Sequence, residues 1–476
     1  MKRRDFITHT SMAAGAFILP WEELLAAGPE LLNASVFGKD FIWGTATAAY
    51  QIEGAHNVAG KGMSIWDKFS HTKGKIKTGE NGDQACDFYR QYPADIMTMN
   101  HLGFRHFRFS LSWSRLFPTG TGSPNAAGVA FYHRVIDECL DKGVTPWVTL
   151  YHWDLPQALE DKGGWTSRDI LQWFTDYVDF CTKEYGGKVK NWMVFNEPTA
   201  FTFLGYFLGI HAPGKKGFKN LMSAIHHVAL CQAIGGRIAK KNVENGNIGT
   251  TYSCSYVEPK TYSKKDIAAA NRIHALTNRL FIEPVLGYGY PYDGWKAFHR
   301  LDKYIRPGDM EMMKFDFDFI GLQNYFRIVA EHSLWPPVMW GKQVKPEKLT
   351  DADHLTLMGW EVYPDGMYNI LKVFNQYDTV KKWYITENGA AFADHFEGAS
   401  IHDVKRQEYF IGYLKSVLKI KNEGMNLQGY FIWSFMDNFE WAEGFHPRFG
   451  LVHVDFETQK RTIKDSGYWW RDFLKR

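Results

Sequence analysis

The chain has 476 residues, with 55 Lys+Arg against 52 Asp+Glu and a net charge of +3. Such a balance carries no electrostatic footprint for nucleic acid or an anionic membrane, both of which require clustered basic surface, and leaves a small neutral molecule as the expected partner. The 45% hydrophobic fraction is ample for a large core, the 16% aromatic fraction leaves aromatic surface for a ligand, and five widely spaced cysteines (Cys86, Cys139, Cys181, Cys231, Cys254) with no CxxC pair indicate neither a zinc site nor a disulfide framework.

The amino terminus differs from the rest. "MKRRDFITHTSMAAGAFIL" has a Lys2, Arg3, Arg4 head followed by a mainly small and apolar stretch, and "LLAAG" follows near residue 28. This is the pattern of an export signal, and Arg3-Arg4 before "DFI" resembles the twin-arginine type. The apolar stretch is shorter than the ~18 residues needed to span a membrane, and no later segment reaches that length. Residues 1–30 are therefore expected to be a removed export signal, with the protein periplasmic or secreted. A chain exported by that route folds before it crosses, which agrees with the lack of paired cysteines. Residues 31–476 are expected to form one catalytic unit, because closed α/β barrels with insertions run past ~400 residues as a single domain.

From residue 40 onward, short aromatic and β-branched stretches alternate with segments at helical period, which argues for parallel strands joined by crossover helices. In chain order the strand candidates are "FIWGTAT", "FRHFRFSL", "TPWVTLYH", "KNWMVFNE", "GTTYSCSY", "DFIGLQNY", "KWYITE" and "GYFIWSF". Eight is the number that a closed (β/α)8 TIM barrel requires. Between them, "DQACDFYRQYPADIMTMNHLG" reads as a helix capped by Asp83 and stopped by Gly103, and "DVKRQEYFIGYLKSVLKIKNEG" as one ending at Gly424. Two stretches, "PTGTGSPNAAG" and "SLWPPVMWGKQVKPEK", are too long for simple turns and are expected at the barrel mouth, where the second offers Trp335 and Trp340 as wall candidates.

In such a barrel, chemistry is expected where strands end. Those ends carry Gln51, Arg108, His152, Asn196, Glu197, Tyr325, Glu387 and Trp433, polar or aromatic groups where a packed core would take Val, Ile or Leu. Two of them, Glu197 in "FNEP" and Glu387 in "TENG", can flank a scissile bond: one proton donor and one nucleophile or base is what glycoside hydrolysis lacks in water. Taken singly, Glu387 would be a turn marker before Asn-Gly, and an isolated Trp433 or His152 a structural residue.

The order of "AAYQIEG", "YHWDLP", "FNEP", "ITENG", "FMDNFEWAEGF" and "RFGLVHVD" resembles glycoside hydrolase family 1, the β-glucosidase group, over nearly the whole chain after the leader. The resemblance implies a retaining mechanism in which Glu387 attacks the anomeric carbon and Glu197 protonates the departing oxygen. It implies that Arg108 and Tyr325 attend Glu387, that Gln51, His152, Glu440 and Trp441 bind sugar hydroxyls, and that Asn196 contacts the 2-hydroxyl. By the same resemblance Trp433 is the sugar platform, Phe449 shares its pocket, and Trp360 in "GWEVYP" walls the leaving group. No cofactor or metal is implied.

The chain departs from the family pattern after the sixth strand, where the usual Asn-Tyr-Tyr is Gln323, Asn324, Tyr325. Glu440 stands where the related phosphoglycosidases lack a carboxylate, and Glu197 where plant thioglucosidases carry Gln, so unphosphorylated O-glycosides are expected. A preference for β-galactosides or β-fucosides and transfer to sugar acceptors are the alternatives within the family. A noncatalytic sugar-binding barrel would be expected to lack one of the two carboxylates.

Overall fold

The structure, a computed structural model, describes residues 32–335 and 338–476. The expected export signal in residues 1–30 lies outside the described residues. Strands β1 (Ile42–Ala46), β2 (His106–Ser110), β3 (Thr145–Tyr151), β4 (Asn191–Asn196), β5 (Asn247–Ser253), β6 (Phe319–Gln323), β7 (Trp383–Asn388) and β8 (Leu427–Trp433) form one closed barrel. Each pairs in parallel with its sequence neighbour, and β8 pairs with β1. Each begins within two residues of an expected segment. One long helix follows each strand: α1 (Phe88–His101), α2 (Ala126–Asp141), α3 (Ile170–Tyr185), α4 (Phe218–Asn242), α5 (Lys264–His274), α6 (Pro364–Phe374), α7 (Val404–Asn422) and α8 (Asp465–Lys475).

The strands read as apolar runs because both faces are covered, one by the barrel interior and the other by helices. All six residues of β7 are buried. Below the catalytic face the interior is filled by an aromatic layer: the Trp147 ring lies 5.6 Å from Phe319 and 5.1 Å from both Tyr384 and Phe431. Gly249 makes room for it, since a Cβ there would fall 2.4 Å from the Phe319 ring. All five cysteines are buried. Among the described residues no helix is long and apolar enough to cross a membrane.

Three local expectations are corrected. Asp83 does not cap α1: the helix starts at Phe88, and the Asp83 carboxylate faces His71 Nε2 at 3.1 Å instead. The stop is where the sequence puts it, with Gly103 at φ +88°. Residues 118–128 do not shape the mouth. Phe117 packs 5.1 Å from Phe180 of α3, and Asn125 accepts from Ala127 N to cap α2, so this segment runs down the barrel's flank. The stretch around Trp340 is drawn onto α5 by Arg272, whose Nη2 donates to the Trp340 carbonyl at 2.7 Å. Trp335 and Trp340 are exposed and do not line the cavity described next.

Candidate active site

Glu387 is near the end of β7, where pairing with β6 and β8 slips out of register after Ile385. Such irregularities re-aim side chains at barrel rims. The next turn requires Gly389, because a Cβ there would stand 1.7 Å from the Trp433 carbonyl oxygen. Asn388 anchors the turn by donating to the Asn324 carbonyl at 2.6 Å and the Tyr409 hydroxyl at 2.8 Å. The Glu387 carboxylate then receives three donors. Arg108 Nη1 and Gln323 Nε2 (2.9 Å) reach Oε1, and the Tyr325 hydroxyl reaches Oε2 at 2.6 Å.

Glu197 follows β4 directly, after a register shift between Met193 and Asn196. Its backbone is left-handed at φ +46°, a conformation that costs a non-glycine residue about 1–3 kcal/mol and that recurs at functional sites. Pro198 opens the next short helix, Pro198–Phe203, where a missing N–H is harmless. The chain thereby turns from strand to helix with the Glu197 carboxyl on the cavity wall.

The preceding residue sets a tautomer. Arg108 Nη2 and Gln323 Nε2 donate to Asn196 Oδ1, so the Asn196 amide turns its N–H toward His152 Nε2 at 2.9 Å. His152 Nε2 accepts, and its proton resides on Nδ1. Burial and the nearby Arg108 keep this imidazole neutral, with its pKa well below the usual histidine range. Nδ1 has no protein partner.

On the opposite side Gln51 spends both amide hydrogens on Asn438 Oδ1 and the Phe439 carbonyl, each at 2.9 Å, which leaves its Oε1 without a partner. Glu440 Oε2 is also unpartnered. Each unmet buried polar atom costs about 1–3 kcal/mol, so a donor and two acceptors gathered at one cavity mark a binding site for a ligand rich in hydroxyls. The cavity has a volume of about 260 Å³. Its aromatic walls are Trp433, Trp441, Trp360 and Phe449, with Trp153 packed 4.6 Å from Trp441 and Trp360 5.4 Å from Tyr325.

The loop after β8 is held by Asp437. Its carboxylate accepts from Lys464 Nζ and Gly450 N, both at 2.9 Å, and faces Arg448 Nη1 and His453 Nδ1 at 3.3 Å. One carboxylate thus ties the segment bearing Glu440 to the one bearing Phe449. Burial opposes its charge, yet Lys464, His453 and Arg448 hold its pKa well below the usual range. Asp394, Asp437 and His453 are close enough to ligate an ion, but Lys464 Nζ lies 2.9 Å from an oxygen of each aspartate and takes that position.

The cavity is lined by Glu197, Glu387, Glu440 and Glu443, and the buried cation in contact with Glu387 is Arg108. Burial raises the pKa values of Glu197, Glu387 and Glu440. Glu387 is raised least, because Arg108 and Tyr325 oppose burial there. Burial nonetheless outweighs both partners. Glu197 is pushed well above the glutamate range by burial and then by the Glu387 charge. Burial and the charges of Glu387 and Glu443 push Glu440 up to about 8. Glu387 thus faces Arg108, while burial and the neighbouring charges press Glu197 and Glu440 toward their protonated forms. A nucleophile and a proton donor coexist in the cavity.

All twelve expected residues are brought to this place. His152, Glu197, Tyr325, Trp360, Glu387, Trp433, Glu440, Trp441 and Phe449 line the cavity; Arg108, Asn196 and Gln51 are buried next to this lining, Arg108 bonded to Glu387 and Asn196, and Gln51 with its Oε1 open. Sequence reasoning missed Gln323 as a partner of Glu387. Its signal was present, as a polar residue at a strand end. Trp153, Ser253, Ala200, Leu204, Phe326 and Met358 also line the wall, and none had a marker of its own.

A closed β/α barrel whose strand ends bring two buried glutamates, one of them held by an arginine, to one aromatic-walled cavity has the architecture of a glycoside hydrolase. The chain belongs to glycosyl hydrolase family 1, a family of retaining glycosidases, whose sequence model matches residues 33–476. It is 41% identical to a 1,4-beta-D-glucan glucohydrolase of Thermotoga neapolitana, over 92% of this chain and 98% of that one. It is likewise 41% identical to beta-glucosidase A of Acetivibrio thermocellus, over 93% and 99%. A Thermotoga maritima family 1 glycoside hydrolase, solved with a cyclophellitol analogue, superposes with a TM-score of 0.88 at 41% identity, covering 92% of this chain and 98% of its own.

Proposed function

We propose that this protein is an exo-acting β-glucosidase that removes terminal non-reducing β-D-glucosyl residues with retention of configuration. The observation that carries the proposal is the placement of two glutamates on one cavity in unlike surroundings: Glu387 is held by Arg108 and the Tyr325 hydroxyl, whereas Glu197 has no such cation and is pushed toward its protonated form by burial and the Glu387 charge. In the first step Glu387 forms an ester to the anomeric carbon, the glycosidic C–O bond breaks, and Glu197 gives its proton to the leaving oxygen. Esterification removes the Glu387 charge, so Glu197 becomes more acidic and takes a proton from the water that then cleaves the ester. His152, Gln51, Glu440 and Trp441 hold the sugar hydroxyls, Asn196 bonds the 2-hydroxyl, Trp433 and Phe449 pack on the ring, and Trp360 walls the leaving group. The relatives' names, a beta-glucosidase and a glucan glucohydrolase, support glucose as the sugar.

The test is incubation with a 2-deoxy-2-fluoro glucosyl fluoride followed by mass spectrometry. The label is expected on the peptide carrying Glu387, and a label elsewhere would overturn the assignment. A second expectation follows from Glu440. With its pKa at about 8 it is neutral at pH 7, and hydroxyl donors from a bound sugar favour its charged form. Glucose binding at pH 7 should release up to about one proton, read as a calorimetric heat that varies with buffer ionisation enthalpy. A buffer-independent heat would count against Glu440 as a hydroxyl ligand, and Glu440→Gln should abolish the release.

We also propose that the protein is exported, on the twin-arginine pattern of residues 1–30. Amino-terminal sequencing of protein recovered from outside the cytoplasm would check this, and an intact leader there would contradict it.

A further inference from the structure

We propose a second saccharide-binding site, a groove on the barrel's flank that takes a short gluco-oligosaccharide without cleaving it. That the sugar is glucose rests on the β-glucosidase reading above, whereas the groove as a saccharide site does not. The groove has a volume of about 630 Å³, against about 260 Å³ for the catalytic cavity, and the two share no residue. It lies outside the strands, between the helical run that continues α5 and the end of α6. His274, Arg279, Glu283 and Tyr288 line one side, and Gln376 and Tyr377 the other. From His274 to Val285 a helix rises about 16 Å, so the lining is longer than one sugar ring.

One donor in the groove is fixed and unused. After His274, α5 passes into a π-helical turn, Ala275–Arg279, an irregularity that recurs at functional sites. The turn carries Asn278, whose Oδ1 accepts from Ser255 N at 3.0 Å and whose Nδ2 donates to the Ser255 carbonyl at 2.8 Å. These two bonds orient the amide, and its Nδ2 also faces His274 Nδ1 at 2.8 Å. His274 Nδ1 therefore accepts, and the ring proton stands on Nε2. Burial and then Arg279 lower this pKa to about 4, so the ring is neutral at pH 7. No described residue accepts from the Nε2–H.

The acceptors are held as firmly. Arg279 donates through Nε and Nη2 to Glu283 and through Nη1 and Nη2 to Asp293, and the Tyr377 hydroxyl donates to Glu283 Oε1 at 3.2 Å. Glu283 thus takes three donors and Asp293 two, of the roughly four that a carboxylate accepts, so both keep lone pairs for hydroxyls. Two carboxylates against one guanidinium disfavour an anion, and Arg279 already fills the place of a cation. Tyr288 supplies a flat apolar face. It is 58% exposed on a turn between Gly287 and Gly289, and its ring lies 6.1 Å from that of Tyr377. A free donor, spare acceptors and an open ring are what a pyranose meets with its hydroxyl edge and its C–H face.

The experiment is a calorimetric titration of the full chain with cellotetraose while saturating deoxynojirimycin, a glucose-shaped amine, closes the catalytic cavity. Binding of cellotetraose is expected to persist under the inhibitor. Tyr288→Ala should weaken it about fivefold, and Gln376→Ala, independently, about threefold. Both side chains are exposed, so neither truncation opens the core. No binding under the inhibitor, or binding that both variants leave unchanged, would overturn the inference. The inhibitor's own titration keeps the two readings apart: if deoxynojirimycin does not bind, the β-glucosidase reading fails, while cellotetraose binding that depends on Tyr288 still assigns the groove.

Discussion

Exchanging Glu387 for Gln is expected to lower kcat by about four orders of magnitude or more, because the amide cannot form the ester on which both steps depend. The more diagnostic effect lies at the partner. The Glu387 charge is one of the two largest influences raising the Glu197 pKa, and the exchange removes it while leaving Arg108 as an uncompensated cation. Both changes favour ionised Glu197, so its pKa must fall. Infrared titration of the carboxyl bands in wild type and variant would read this directly. In the wild type the same coupling has a kinetic sign: activity needs protonated Glu197, so it is present below that group's raised pKa and lost as pH climbs through it. A Glu197 titration unmoved by the exchange would mean that the two groups are not electrostatically joined, and the assignment of their roles would be wrong.

Glu197→Gln is expected to have an effect that depends on the leaving group. General acid assistance is worth about 10² to 10⁴. For alkyl glucosides, whose alcohols cannot leave as anions, kcat/KM should fall by that amount. For a dinitrophenyl glucoside, which needs no proton, the first step should be nearly untouched and the glucosyl-enzyme should accumulate, since Glu197 is also the base for water. Azide needs no base, so it should restore turnover of that substrate and appear in a product of β configuration. Equal losses for both leaving groups, with no azide product, would remove Glu197 from its role.

Much of this arrangement is legible in the sequence. The strands can be read because a stretch buried on both faces must be mainly apolar, as "WYI" at 383–385 is, and because polar groups such as Glu387 and Asn196 interrupt such a run only where it leaves the core. What could not be read is what depends on distant elements meeting. Asp83 looked like a helix cap by local pattern, yet its carboxylate is drawn to His71, and the backbone delays the helix to Phe88. The segments around 120 and 340 looked like mouth loops by length, but Phe117 found α3 and Arg272 found the Trp340 carbonyl. The wall around the acid comes instead from Ala200, Leu204, Phe326 and Met358, ordinary side chains whose meeting depends on how one short helix faces another loop. Gln323 shows the limit most clearly: its departure from the family pattern was visible, but only the packed barrel reveals that its longer amide bridges Glu387, Asn196 and Thr251.

The grip of Lys464 on Asp437 makes the chain's last segment part of the sugar site. Lys464 directly precedes α8, whose Trp470 and Phe473 dock against Trp43 of the first strand. All eight strands and both glutamates precede Lys464, so a chain truncated before it would keep the residues of the catalytic pair and lose the ammonium anchor of the segment carrying Glu440.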